Sequence, residues 1–497
     1  MHIEEATIAE LQAAMSQGKL TACQLTELYI ERIQTLNPQL HAILEINPDA
    51  LKIANALDQE RASTGPRGPL HGIPVLLKDN IATADLMETT AGSLALLGAR
   101  PPRDAFVAQK LREAGAVILG KTNLSEWANF RSSASASGWS ARGGVARNPY
   151  VLDRTVCGSS SGSASAISAN LAVVSLGTET DGSILCPAGI TGVVGIKPTV
   201  GLTSRAGVIP IAHSQDTVGP FARTVTDAAI LLGAITGVDE RDPFTGESAN
   251  HFHKDYTPFL DKQGLKGARI GVSRQVYFGY SPKADAIINT AIQELKELGA
   301  IIIDPADIPT ARQMAESEAE MKVLLHELKA DMNAYLSELG NTEMHTLADL
   351  IAFNTAHAEE ELIYFGQEHF LQAQETGDLN DPDYLAALAE NHRLSRQEGI
   401  DKVMNDYQLD ALVMPTVSPA WTIDLVNGDH YTGSSSQPAA LAGYPAITVP
   451  AGYSHGLPVG ITFMGRAYSE PTLIRLAYAF EQSTLQRRAP QFLPTIQ

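Results

Sequence analysis

The stretch from Cys157 to Thr199, CGSSSGSASAISANLAVVSLGTETDGSILCPAGITGVVGIKPT, places serines in two glycine-bearing turns separated by apolar runs. A flexible serine-rich linker is polar throughout, but this stretch carries Ile167, Leu171, Val173, Val174 and Leu176 and must fold around an interior. Gly158-Ser159-Ser160-Ser161-Gly162 and Thr180-Asp181-Gly182-Ser183 can both turn sharply, because glycine reaches backbone angles that other residues avoid. Successive backbone N–H groups in such a turn can converge on one point, which is what an oxyanion hole requires.

A serine hydroxyl is a weak nucleophile at neutral pH and needs a base. No histidine lies between the two turns. Upstream, Lys78 ends the apolar run Ile73-Pro74-Val75-Leu76-Leu77, which reads as a buried strand delivering its last residue to a sheet edge. Lysine serves as a base only when neutral, so its ordinary pKa of about 10.4 must be lowered by burial or a neighbouring positive charge. Two serine turns and one buried lysine point to a Ser-Ser-Lys hydrolase.

At these residues the chain resembles the amidase signature family. The match runs through the turn Gly182-Ser183-Ile184, the tail Gly195-Ile196-Lys197-Pro198-Thr199 and the segment Lys78-Asp79-Asn80. It continues through Gly120 to Asn123, Ser214 to Pro220, Ala411 to Thr416 and Ala442 to Ala446, and so covers most of the chain. The resemblance implies that Ser183 is the nucleophile, that Ser159, 24 residues upstream, bridges to the base, and that Lys78 is the base. It further implies that the backbone of Thr180, Asp181, Gly182 and Ser183 holds the oxyanion and that Ser160 orients the lysine. Gly158 then makes room for a cis peptide bond before Ser159. No cofactor or metal enters that chemistry.

Three departures stand out. Cys157-Gly158 and Asp181-Gly182 replace glycine pairs common in the family, and Leu185 stands where an arginine is frequent. The missing arginine implies an uncharged pocket for the acyl side. The wording from Thr178 to Ser183, with Asn129-Phe130-Arg131 and Gly138 to Gly144, is similar to the bacterial peptide amidase branch. The implied reaction is hydrolysis of peptide C-terminal amides or N-acyl amino acid amides. The alternatives are the glutaminase component of a tRNA-dependent amidotransferase, or an amidase for fatty, aryl or small aliphatic amides.

The remaining chain fits a single α/β domain over residues 1–497, with the signature core at about 65–230. Strands are predicted at Gly72 to Leu77, Ala116 to Leu119, Leu171 to Leu176, Arg269 to Val272, Ala300 to Ile303, Ala411 to Met414 and Ala446 to Val449, with helical patterns between them. This alternation predicts a mixed, largely parallel sheet covered by helices on both faces. Two helices open the chain, one starting at Ala6-Thr7-Ile8 and the next capped by Thr21. Residues 310–404, rich in Glu, Ala, Leu and Lys, read as a helical insertion that would wall the substrate pocket.

A net charge of −20 argues against a nucleic-acid partner or an anionic membrane surface, since phosphate contacts need clustered Lys and Arg. The expected partner is a small-molecule or short-peptide amide, taken up by a monomer or homodimer. No membrane span or secretory pattern is legible, so the default location is cytoplasmic. Cys23, Cys157 and Cys186 are odd in number and unspaced for metal, which predicts neither disulfide nor zinc and makes Cys157 and Cys186 small packing residues.

Several motifs are decoys. Gly115 to Thr122 matches the phosphate-loop pattern, but its middle residues read as a strand. His326-Glu327 begins like a zinc-protease helix, yet position 330 is Ala. His251 and His253 read as solvated loop residues. Asp216 and Arg223 read as structural ion-pair partners, and Tyr444-Pro445 as a turn near the pocket.

Overall fold

The computed structural model describes residues 3–496. Its central sheet has eleven strands. In chain order these are β1 (Ile43–Ile46), β2 (Pro74–Lys78), β3 (Val117–Thr122), β4 (Val174–Glu179), β5 (Val194–Lys197) and β6 (Thr217–Ala222). They continue with β7 (Arg269–Val272), β8 (Ile301–Ile303), β9 (Ala411–Pro415), β10 (Ala446–Ser454) and β11 (Leu457–Met464). Across the sheet the order is β1-β3-β2-β4-β6-β5-β10-β11-β9-β7-β8.

All seven predicted strands are present, and the sheet is mixed. It is not largely parallel: only four of the ten pairings are, namely β2 with β3 and β4, and β7 with β8 and β9. The antiparallel centre comes from β5, β6 and β11, which the strand patterns did not reveal. Helices cover both faces. Ser161–Ser168 and Leu185–Ile190 touch each other and the middle strands, while Val225–Ile235, Pro282–Glu297 and Glu470–Thr484 form a second group over those strands.

The parallel trio β3-β2-β4 positions the chemistry. Every residue of β2 is buried, and Val75, Leu76 and Leu77 pair with Val174, Ser175 and Leu176 of β4. Parallel neighbours end at the same sheet edge, so Lys78 reaches that edge beside Thr178 and the turn that follows β4. At the start of the chain, Thr7 and Thr21 cap the first two helices, each closing a capping box with Glu10 or Gln24.

Residues 310–404 carry helices and no strand. The longest helix of this segment, Ala319–Ser337, packs Ala319 and Val323 against Tyr384 and Ala387. The phosphate-loop look-alike is strand β3. Its Lys121 is fully buried and donates to Ile81 O and Thr89 Oγ1, both at 2.7 Å. Arg223 is buried without an acidic partner among the described ion pairs; it donates to the carbonyls of Ala6, Ala172 and Ile167 instead.

The cysteine expectation is overturned. Cys157 and Cys186 form a disulfide, with Cα atoms 6.1 Å apart, inside the usual bridging range. Cys23 is the free thiol that made the count odd.

Candidate active site

Among the described residues three lysines are fully buried: Lys78, Lys121 and Lys197. Burial lowers the pKa of each, to about 7 for Lys78 and about 8 for the other two. Lys121 and Lys197 spend their protons on carbonyl and threonine oxygens of the core. Lys78 differs: its Nζ lies 2.7 Å from Ser159 Oγ and 2.8 Å from Thr178 Oγ1. Asn80 Nδ2 donates to the same Thr178 hydroxyl at 3.0 Å. Charges on Asp216 and Glu179 oppose the burial, yet the lysine stays far below its ordinary value.

Ser159 follows a cis Gly158–Ser159 peptide bond. The carbonyl of Ser159 accepts from Ser125 N at 3.0 Å, and Ser125 Oγ accepts from Gly138 N at 2.9 Å. Nothing larger than glycine fits before the serine, since a Cβ on Gly158 would sit 2.0 Å from Ser125 Oγ. Ser160 does not touch the lysine nitrogen in the described contacts. It acts one step away, donating from Oγ to Thr178 O at 3.0 Å and accepting from Thr178 N at 3.2 Å, while its own amide donates to Ser183 O at 3.2 Å.

The second turn is held from below. Glu179, fully buried, accepts from the amides of Ile184 and Leu185 at 2.7 and 2.9 Å and is further stabilised by the Gly182 amide. Asp216 accepts from Thr180 Oγ1 at 2.5 Å and from the amides of Ile211 and Ala212 at 2.8 and 3.0 Å. Its role is thus to brace the turn through neutral donors. Gly182 has φ +81°, in the left-handed region that glycine tolerates.

Above this turn opens a cavity of about 770 Å³. Its floor includes Gly158, Thr180, Asp181, Gly182 and Ser183; its walls include Ser133 and Ser135 from the serine-rich segment, and Glu320, Met321 and Leu324 from the helical segment. The Asn427–Ser436 stretch closes the remaining side. Asp429 ties it across the mouth, accepting from Ser137 N and Trp421 Nε1, both at 3.0 Å.

The pocket is lined by ionisable groups. Asp181, Glu320 and Asp429 line it, and no lysine or arginine does among the described residues. Leu185 does not face the cavity at all; it is buried with Tyr277, Met314 and Met414. The Asp181 carboxyl opens onto the cavity yet is hemmed in by protein atoms, and burial together with Glu320 raises its pKa well above the carboxylate range. Glu320 is raised as well, chiefly by burial, against hydrogen bonds from Gln437 and Gln215. Tyr444, placed near the pocket by sequence, instead donates to Asp401.

The residues that sequence reasoning missed are Thr178, Glu179 and Glu320. The first two were visible as polar side chains interrupting the apolar strand β4 just before the turn. Glu320 lies far away in sequence and gave no signal.

A family model described as Amidase matches residues 24–474. The chain belongs to the amidase family. This amidase is 52% identical to the native peptide amidase from Stenotrophomonas maltophilia, with a TM-score of 0.94 over 98% of this chain and 99% of that one. It is 48% identical to a probable amidase of Arabidopsis thaliana over 99% of this chain and 92% of the relative. It is also 35% identical to a glutamyl-tRNA(Gln) amidotransferase subunit of Chloroflexus aurantiacus, over 96% of both chains. As an amidase the protein is an amidohydrolase, and no helix in its described residues is long and apolar enough to cross a membrane.

Proposed function

We propose that this amidase hydrolyses the C-terminal carboxamides of short peptides, or N-acyl amino acid amides, to the acid and ammonia. The observation that carries the reading is the 2.7 Å contact of Lys78 Nζ with Ser159 Oγ beneath a cavity floored by Ser183. The 52% identity to a peptide amidase over nearly the whole chain supports the choice of substrate.

In this reading neutral Lys78 takes the proton of Ser159 as Ser159 takes that of Ser183, whose Oγ bonds to the amide carbon. The carbonyl π electrons move onto oxygen, and backbone N–H groups among Thr180 to Ser183 stabilise that anion. Ser159 returns a proton to the amide nitrogen, the C–N bond breaks, and ammonia leaves. Water repeats the path against the acyl-enzyme and frees Ser183.

The glutaminase component of an amidotransferase is the second reading, supported by its 35% relative. The chain purified alone and given an amidated dipeptide decides between them. Mass spectrometry should show a gain of about one mass unit as NH₂ becomes OH, with one ammonia released per turnover. Internal cleavage, or turnover of fatty or aryl amides with the peptide ignored, would refute the substrate assignment; activity on glutamine only with partner chains would favour the amidotransferase.

A further inference from the structure

The loop Ile211 to Asp216 lies between the catalytic turn and the Ala319–Ser337 helix. On its inner side Asp216 braces Thr180. On its outer side it meets one stripe of the helix, because Glu320, Leu324, Glu327 and Asp331 recur at helical spacing. Leu324 packs on Ile211 and Ala212. Gln215 Nε2 donates to Glu320 Oε1 at 3.1 Å, and Ser214 N to Glu327 Oε2 at 2.9 Å. The same stripe gives Glu320 and Leu324 to the substrate cavity, so pocket wall and loop attachment share one face.

His213 is the strongest attachment. Its Nδ1 lies 2.8 Å from Asp331 Oδ2, its Nε2 lies 3.4 Å from Glu327 Oε1, and its backbone N–H donates to Asp331 Oδ2 at 3.0 Å. The imidazolium form donates from Nδ1 to Asp331 and sets its charge beside Glu327, whose own pKa is raised by burial against the pull of His213. The other groups packed here are Arg205, which donates to the His213 carbonyl and pairs with Asp242, the Phe244 ring, and Tyr384, whose hydroxyl donates to Glu327 at 2.8 Å. Burial by itself lowers the His213 pKa, and Arg205 does so too, but the hydrogen bond to Asp331 and the charges of Glu327 and Asp331 outweigh both and hold it above the ordinary histidine value. A second cavity, of about 400 Å³, opens onto His213 and Asp331 and gives the ring access to solvent protons.

The three side chains bring ligand atoms within 4.8 Å of one another. They do not converge as a metal site, because the two ring nitrogens point apart and each engages a different carboxylate.

We propose that His213 is a positioning residue: as an imidazolium bridging Asp331 and Glu327, it fixes the Ala319–Ser337 helix as the wall of the amide pocket, so its deprotonation weakens substrate binding and spares the chemical step. This inference needs the amidase chemistry but not the choice of peptide amides.

The test separates KM from kcat over a pH series that starts below the ordinary histidine value and runs well above it. It uses an uncharged N-acyl amino acid amide, which ionisation of the pocket carboxyls does not repel, or any bulky uncharged amide that is turned over should peptide amides be refused. In the native enzyme KM should rise at the alkaline end as the imidazolium is lost. In His213→Gln, KM should be elevated roughly five-fold or more at the acid end and flat with pH, while kcat keeps the limb set by Lys78. A variant KM that still rises with pH, or a loss confined to kcat, overturns the proposal. Should His213→Gln fail to fold by circular dichroism, Asp331→Asn serves: it should move the rise in KM to lower pH, and an unmoved profile refutes the idea. EDTA should leave the KM profile unchanged; a profile altered by EDTA and restored by zinc would make this a metal site instead.

Discussion

Lys78 Nζ and Ser159 Oγ face each other at 2.7 Å, one at the end of a buried strand and the other just past a cis peptide bond. The lysine is fully buried, and its pKa falls to about 7, so a neutral fraction able to act as a base is present near neutrality.

The first prediction follows from that value. Turnover should rise with pH through about 7 as Lys78 loses its proton. Lys78→Ala should lose roughly 10²–10⁴-fold in kcat, the worth of general-base assistance. Because the negative charge of Asp216 raises the lysine pKa, Asp216→Asn should move the rising limb to lower pH. A pH-independent kcat, with chemistry shown to be rate-limiting, would remove Lys78 from the role of base.

Ser183→Ala should abolish acyl-enzyme formation. A fluorophosphonate should label the native protein at Ser183, read by peptide mapping. Label on Ser159 would mean the two hydroxyls have exchanged roles.

Gly158→Ala should be costly for a steric reason. The new Cβ would sit 2.0 Å from Ser125 Oγ, and overpacking of this kind typically destabilises by about 1–3 kcal/mol. Ser125→Ala removes that oxygen, so the double variant should lose less stability in denaturant melts than the two single losses summed.

Reducing the Cys157–Cys186 bridge should lower stability by about 2–4 kcal/mol, the usual worth of such a cross-link. Thermal melts with and without reductant measure this, and Cys186→Ala should melt like the reduced protein and be indifferent to reductant.

The acid-lined pocket predicts charge selection. At the alkaline end, where Asp181 and Glu320 are ionised, amides bearing a cationic side chain should outpace acidic ones in kcat/KM by about ten-fold, an effect that like charges at short range readily supply. Raised pKa values on Asp181 and Glu320 mean the bias should grow with rising pH as they ionise. Glu320→Gln should shrink it, and equal rates for both substrate charges in the native enzyme would refute it.

The resemblance to the amidase signature family singled out Ser159, Ser183 and Lys78, and the fold brings Lys78 Nζ to 2.7 Å from Ser159 Oγ. What stayed hidden was hidden for physical reasons. β6 contains Gly219 and Pro220, β11 contains Pro458 and Gly460, and such residues blur a strand pattern. Counting cysteines by parity failed because Cys23 belongs to no pair. Leu185 misled because nearness to Ser183 in sequence was taken for nearness in space, while its helix turns it into the core. The charge of the pocket comes partly from Glu320, which only the tertiary fold brings to Ser183.

The helical segment has an apolar cluster of its own, in which Ala319 and Val323 rest on Tyr384 and Ala387, whereas Lys78, Ser159 and Ser183 are set by the sheet and its turns. Mutational drift at the pocket-facing Glu320, Met321 and Leu324 can therefore recut one wall of the cavity while Glu327 and Asp331 still hold the neighbouring loop. For an engineer seeking new acyl groups, this makes those three positions the place to randomise, and Glu327, Asp331 and the strands beneath them the frame to leave intact.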